Sequence, residues 1–381
     1  MMRKSFFMKK FDTPILVTRP YLPSLAQYKE GLEEIWSNQW LTNNGPVLQR
    51  FHSEISSFLD IPRNNMSLFN NGTLALEIIF HAMGLSGGEV ITTPFTFVAT
   101  AHAIKRIGGT PVFADIDSET LCLSPESVEK KITTRTKAIV PVHVYGHPCD
   151  VEGFQRLGEK YGIPIIYDSA HAFGVKINGK TIAEWGDANM FSFHSTKLFH
   201  SIEGGLLTYK DSTIKEKVDN LRNFAIKSDV ECVDVGTNAK MNEFQALMGS
   251  LVLKEMPNII EKRKQIYSTY EEAFSNSNDV TLLPTPSSMY GLNIEHNWAY
   301  CPILFKDFET REIVFEKLKE CNVFARRYFY PLLTDFAPYI YAQNTCPIAE
   351  DIAKRVLTIP TYQTLSDFDA NEISKIILES I

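Results

Sequence analysis

Between about residue 66 and residue 210 the chain alternates short, near-continuous apolar runs with segments whose apolar residues recur at helical spacing. No other feature constrains the fold as strongly. A strand that is apolar on both faces must be covered on both faces, and helices running between parallel strands supply that cover. Residues 66–69 form a short apolar run, after which Leu74, Ala75, Ile78, Ile79, Ala82 and Met83 keep a helical period. Residues 89–93 (EVITT) read as a strand, 97–107 as a helix and 111–115 (PVFAD) as a strand. Ser124 and Pro125 supply an N-cap and a first-turn proline for a helix that leads into the β-rich run 138–145 (AIVPVHVY). Residues 151–161 are helical and 163–167 (IPIIY) strand-like; 188–193 and 205–209 read as the last strands, with an Asn178-Gly179 hairpin signal before them. The expectation is an α/β body around a mostly parallel sheet.

After Leu251 the pattern changes to helices near 255–274, a Pro- and Ser-rich passage at 284–288, a strand-like run at 299–305 and helices near 311–320 and 368–378. A large α/β domain over 1–250 and a smaller α+β domain over 251–381 follow from this, a division that the 381-residue length accommodates. Lys plus Arg number 38 against 45 Asp plus Glu, a net charge of −7, so there is no broad positive field for a nucleic acid. Any anionic ligand must then be held by local geometry. The six cysteines (122, 149, 232, 301, 321 and 346) form no CxxC pair and read as free thiols of a reducing cytosol. Phe6, Phe7 and Met8 are too short an apolar run for a signal-peptide core, and no stretch approaches the ~18 apolar residues of a membrane span. A cytoplasmic protein without membrane or nucleic-acid partners is expected.

In an open parallel sheet, ligands sit beyond the carboxyl ends of the strands. Four places there carry chemistry. Asn70-Asn71-Gly72-Thr73 joins a strand to a helix, where a close backbone and free amides face an anion and Thr73 adds a hydroxyl. Asp168 follows the strand at 163–167 and needs a cationic or hydrogen-bonding partner, with His171 three residues on. Residues 191–197 (FSFHSTK) end in Lys197, an amine with apolar neighbours suited to act as a nucleophile, and Glu203-Gly204-Gly205 follows. Phe95-Thr96-Phe97 offers aromatic rings to stack on a flat ligand. Pyridoxal 5'-phosphate demands this set: a lysine, an acid beside the pyridinium nitrogen, a phosphate cup at a helix start and an aromatic plate.

The runs NNGTLALE, EVITTPFTFVATAHAI, GGTPVFADID, AIVPVHVYGHPCD, YDSAHAFG and FSFHSTK with EGG resemble the DegT/DnrJ/EryC1/StrS group of pyridoxal-phosphate-dependent nucleotide-sugar aminotransferases. The resemblance runs from Trp40-Leu41-Thr42 with Gly45-Pro46, through residues 238–245 (NAKMNEFQ), to Arg326-Arg327-Tyr328 and Pro331. It implies a type I, aspartate-aminotransferase-like fold. It makes Lys197 the Schiff-base lysine, Asp168 the partner of the ring nitrogen, Phe97 the stacking aromatic, and Gly72, Thr73 and Ser192 the phosphate cup. It also implies a homodimer with composite sites, in which Asn238 reaches the neighbouring subunit's phosphate. His171 stands where many relatives carry glutamine, among the residues facing the cofactor. Residues 40–45 and 326–330 offer aromatic and cationic groups suited to a sugar face and a diphosphate, with Trp40, Thr42, Asn43, Arg326 and Tyr328 as candidate walls for the nucleotide sugar.

The implied reaction passes an amino group from L-glutamate, through pyridoxamine 5'-phosphate, to C4 of dTDP-4-keto-6-deoxyglucose, a step of deoxyamino-sugar biosynthesis of the O-antigen kind; C3 of the isomeric 3-keto sugar is the alternative. Relatives that replace the lysine with histidine become dehydratases, and this chain keeps Lys197. Two rival readings come from other classes. His143, His147 and Cys149 carry zinc-compatible donors. Residues 174–181 (GVKINGKT) fit the P-loop pattern, although a P-loop must join a strand to a helix and these residues flank a hairpin signal. An inactive regulatory protein on the same fold is opposed by the retained lysine, aspartate and cup.

Overall fold

The computed structural model describes residues 10–381, so the apolar run at Phe6, Phe7 and Met8 lies outside the described residues. Seven strands build the central sheet: β1 (Met66–Phe69), β2 (Glu89–Thr92), β3 (Thr110–Phe113), β4 (Thr136–Ile139), β5 (Ile166–Asp168), β6 (Ala188–Ser192) and β7 (Gly205–Tyr209). β2 pairs in parallel with β3 and β4, and β5 in parallel with β6. β7 runs antiparallel between β1 and β6. Parallel bridges Ile139–Ile165 and Val142–Asp168 join the two groups, giving the order β1-β7-β6-β5-β4-β2-β3. All residues of β1, β2 and β7 are buried, which is why apolar residues stand on both faces of these strands without alternation.

The helices begin and end where local chemistry dictates. Asp150 accepts from the Gly153 amide at 2.8 Å to cap the helix Val151–Tyr161, and Gly162 ends it at φ 64°. Ser124 caps Pro125–Glu129 through the Ser127 amide at 3.2 Å. The run at 138–145, expected to be β-rich, pairs with β5 as far as His143, whose amide donates to the Asp168 carbonyl at 3.0 Å, and then leaves the sheet. Pro141 has no amide to donate, and Tyr145 and Gly146 take positive φ of 59° and 91°, so the chain turns through a 3-10 segment, Val144–Gly146. The Asn178-Gly179 turn joins the strands Lys176–Ile177 and Lys180–Thr181, and a 3-10 turn follows them. Residues 174–181 therefore form a hairpin with no following helix, and the P-loop geometry is absent from them.

A second apolar core gathers Phe11 and Ile15 with residues drawn from 266–377, among them Tyr270, Ile303, Val314, Leu357 and Ile373. Its antiparallel sheet sets Cys301–Phe305 between Val280–Leu282 and Val356–Ile359. The Pro- and Ser-rich passage at 284–288 carries the chain from this core to the hairpin Ser288–Met289 and Leu292–Glu295, which pairs with Lys176–Ile177 of the large body. Tyr300 and Phe329 likewise pack into the first core, so the two bodies meet beside the ends of β4, β5 and β6. No described helix is long and apolar enough to cross a membrane.

Candidate active site

The carboxyl ends of β1, β5 and β6 open on a cavity of about 340 Å³. Asp168, the last residue of β5, forms its floor. Its Oδ2 accepts from the Thr100 hydroxyl at 2.7 Å and its Oδ1 from the Ala170 amide at 3.1 Å. Burial pushes its carboxyl above the usual aspartate range, while those two donors and the Lys197 charge pull it back. Thr100 sits on the helix Val98–Arg106, where its hydroxyl also meets Thr96 at 3.1 Å.

Lys197 lies on the turn that follows β6. That turn is tied by its own backbone: the Lys197 amide donates to the His194 carbonyl at 2.8 Å and the Ser201 amide to that of Phe193 at 2.9 Å. The Lys197 ammonium stands 6.0 Å from the centre of the Tyr300 ring. Burial lowers its pKa, opposed by Tyr328 and Asp168 and assisted by Arg326. A buried amine that loses its proton more readily than an ordinary lysine is a better nucleophile.

One wall is the start of the helix Gly72–Ala82. Asn71 caps it by accepting from the Leu74 amide at 2.8 Å, which leaves the amides of Gly72 and Thr73 at the mouth of the helix. A Cβ on Gly72 would meet Met190 Sδ at 2.7 Å, and one on Gly205 would meet the Asn71 carbonyl at 2.7 Å. These two glycines let the helix start seat on β6 and β7, with Ser192 beside it in the cavity lining. The aromatic pair divides its labour: Phe95 is fully buried, whereas Phe97 is 57% exposed and faces the cavity.

His171 lines the same cavity, its ring parallel to Phe329 at 6.3 Å and 4.6 Å from Tyr300. The Tyr145 amide donates to its Nδ1 at 3.1 Å, which assigns the proton of the neutral ring to Nε2. Burial and the Lys197 charge keep that ring neutral. Arg326 and Tyr328 close the far side, with the Arg326 guanidinium donating to the Tyr328 hydroxyl at 2.5 Å.

Lys197, Asp168, Gly72, Thr73, Phe97, His171, Ser192, Arg326 and Tyr328 thus share one cavity. Asn238, Trp40, Thr42 and Asn43 lie outside its lining. Asn238 pairs with Asn223, and Trp40 is half exposed. Asn43 lines a neighbouring cavity with Arg222 and Lys240. Thr100, Tyr300 and Tyr145 join the site without having been expected there, and His194 and Glu203, within FSFHSTK and EGG, enter its lining. The first of these had a signal, four residues after Thr96 on a helix start; Tyr300 had none. Two of the zinc-compatible trio bond to backbone: His143 Nδ1 accepts from the Cys149 amide at 3.0 Å and Cys149 Sγ donates to the Val142 carbonyl at 3.2 Å. No cluster of three or more metal-type ligands occurs among the described residues.

Residues 25–378 match the model of the DegT/DnrJ/EryC1/StrS aminotransferase family. A dTDP-4-amino-4,6-dideoxy-D-glucose transaminase of Shigella dysenteriae is 41% identical, over 93% of this chain and 96% of that protein. A transaminase of the same name from Escherichia coli is 38% identical, over 96% of this chain and 99% of its own length. The solved structure of DesI in the presence of its TDP-sugar product superposes with a TM-score of 0.89 at 34% identity, covering 97% of this chain and 93% of that one.

Proposed function

Because the chain belongs to the DegT/DnrJ/EryC1/StrS aminotransferase family, we propose that it moves the amino group of L-glutamate to C4 of dTDP-4-keto-6-deoxyglucose, using pyridoxal 5'-phosphate on a type I fold. The observation that carries this reading is one cavity holding a lysine of lowered pKa, a buried carboxylate and a helix start. The residues fit the cofactor. The Gly72 and Thr73 amides and the Ser192 hydroxyl suit a phosphate dianion at a helix N-terminus. Phe97 offers a flat face to the ring. The carboxylate of Asp168, costly to bury alone, would find its missing cation in a protonated ring nitrogen. The relatives named for dTDP-4-amino-4,6-dideoxy-D-glucose favour C4 over C3.

When bound, the cofactor supplies an aldehyde that takes up the amino group and a ring that withdraws electrons from the reacting carbon. Asp168 would keep a proton on the ring nitrogen while the cofactor is bound. Lys197 Nζ would take the proton from the α-carbon of glutamate, whose amino group stays behind while water supplies the oxygen of the departing 2-oxo acid, and in the second half it would deliver a proton to C4 of the sugar. One base serves both halves because both substrates enter the same cavity. Arg326 supplies the cation that each needs, for a carboxylate in one half and the diphosphate in the other. His171, held by the Tyr145 amide, would present its Nε2 proton to the bound cofactor. The assembly is a cytoplasmic homodimer in which Asn238 completes the partner's phosphate cup and the 40–43 segment completes the sugar wall.

The test is incubation with L-glutamate and each of the two isomeric keto sugars, followed by NMR location of the new C–N bond. Amination at C4 is expected. Amination only at C3, or of neither sugar, would overturn the choice of substrate.

A further inference from the structure

The EGG motif beyond Lys197 does more than end a loop. β6 and β7 pair antiparallel with Ser192 opposite Gly205, and the Phe193 amide donates to the Gly204 carbonyl at 2.9 Å, which extends that register one step. The next step sets His194 opposite Glu203. Their side chains do meet, with His194 Nε2 3.5 Å from Glu203 Oε1. The pleat turns Phe193 into the core and Ser192 and His194 toward the ligand. The sheet therefore places a histidine–carboxylate pair in the same cavity wall as the phosphate cup, and the turn carrying Lys197 lies between its two members.

The pair is oriented rather than loose. The Thr196 amide donates to His194 Nδ1 at 3.2 Å, with the Thr196 hydroxyl at 2.7 Å from the same nitrogen, so the neutral ring keeps its proton on Nε2, facing Glu203. The Ser201 hydroxyl donates to the Glu203 backbone carbonyl at 2.9 Å and fixes the loop beneath. The side chains are 43% and 51% exposed, so the carboxylate opens on the cavity.

Resting on the proposed sugar amination, we infer that Glu203, positioned by His194, is the carboxylate that recognises ring hydroxyls of the nucleotide-linked hexose. The cavity's other carboxylate, Asp168, has both oxygens bonded at the floor. A carboxylate offers about four acceptor sites, and His194 Nε2 stands beside one of those oxygens at 3.5 Å. The two substrates differ in what they bring to it. The hexose brings hydroxyl donors, which a carboxylate binds well, whereas the amino donor brings carboxylates, which it repels. Glu203 thus separates the two half-reactions that share Lys197.

The experiment is Glu203→Gln measured in each half-reaction separately, by single-turnover change of the holoenzyme's cofactor spectrum. The half-reaction with L-glutamate should stay within about twofold of wild type or become faster. That with the keto sugar should lose about tenfold to a hundredfold in efficiency, as expected for one hydrogen bond to a charged group. On a keto sugar deoxygenated at the contacted ring hydroxyl, at C2 or at C3, wild type and variant should converge. Equal losses in both half-reactions, or a deficit that survives on both deoxy analogues, overturns the inference. If wild type turns over glutamate but does not aminate the sugar, the proposed function itself has failed.

Discussion

At the scale of single residues, the proposed chemistry rests on Asp168 and Lys197. Asp168 is held neither by a salt bridge nor by solvent but by one hydroxyl and one amide. Such a carboxylate is costly unless a cation joins it. Asp168→Asn keeps the shape and the Thr100 contact but removes the charge that keeps a ring nitrogen protonated. Turnover should fall by about 3 kcal/mol in transition-state stability, roughly a hundredfold or more, with the fold intact by circular dichroism. A loss of only about twofold would remove Asp168 from this role. Lys197, Asp168, Gly72 and Thr73 were legible because each stands at a strand end or helix start, positions that an apolar pattern reveals. Tyr300 and Tyr145 were not, since they reach the site through tertiary packing and a positive-φ turn that leave no local trace.

At the scale of elements, the apolar runs revealed the strands and the caps revealed the helix starts. Strand ends were harder. Residues 138–145 are apolar but for His143, and nothing in that pattern says that Pro141 leaves one ladder bond unmade or that Tyr145 turns back to hold His171. The P-loop pattern at 174–181 shows the opposite error, a letter match that Asn178-Gly179 folds into a hairpin. The His194–Glu203 pair was illegible for a third reason. It depends on the β6–β7 register, which is set by pairing across the sheet and not by either strand alone.

At the scale of the whole molecule, one chain brings most of the expected site into one cavity and leaves Asn238 at the rim of β1, where its carbonyl accepts from the Asn70 side chain at 3.4 Å. If Asn238 serves the partner's cup, two inactive variants must complement each other. Mixing Lys197→Ala with Asn238→Ala after subunit exchange gives heterodimers in which one of two sites is whole, so about one quarter of wild-type activity should return. Failure to recover any activity would place Asn238 in its own subunit's site or in none. Beneath all of this lies the assignment of the cavity between the two bodies as the place where the cofactor is held. The most direct measurement is borohydride reduction of the holoenzyme followed by peptide mass mapping. The account predicts a reduced pyridoxal phosphate adduct on Lys197, in the peptide that follows β6; an adduct on another lysine, such as Lys240, or on none would contradict it.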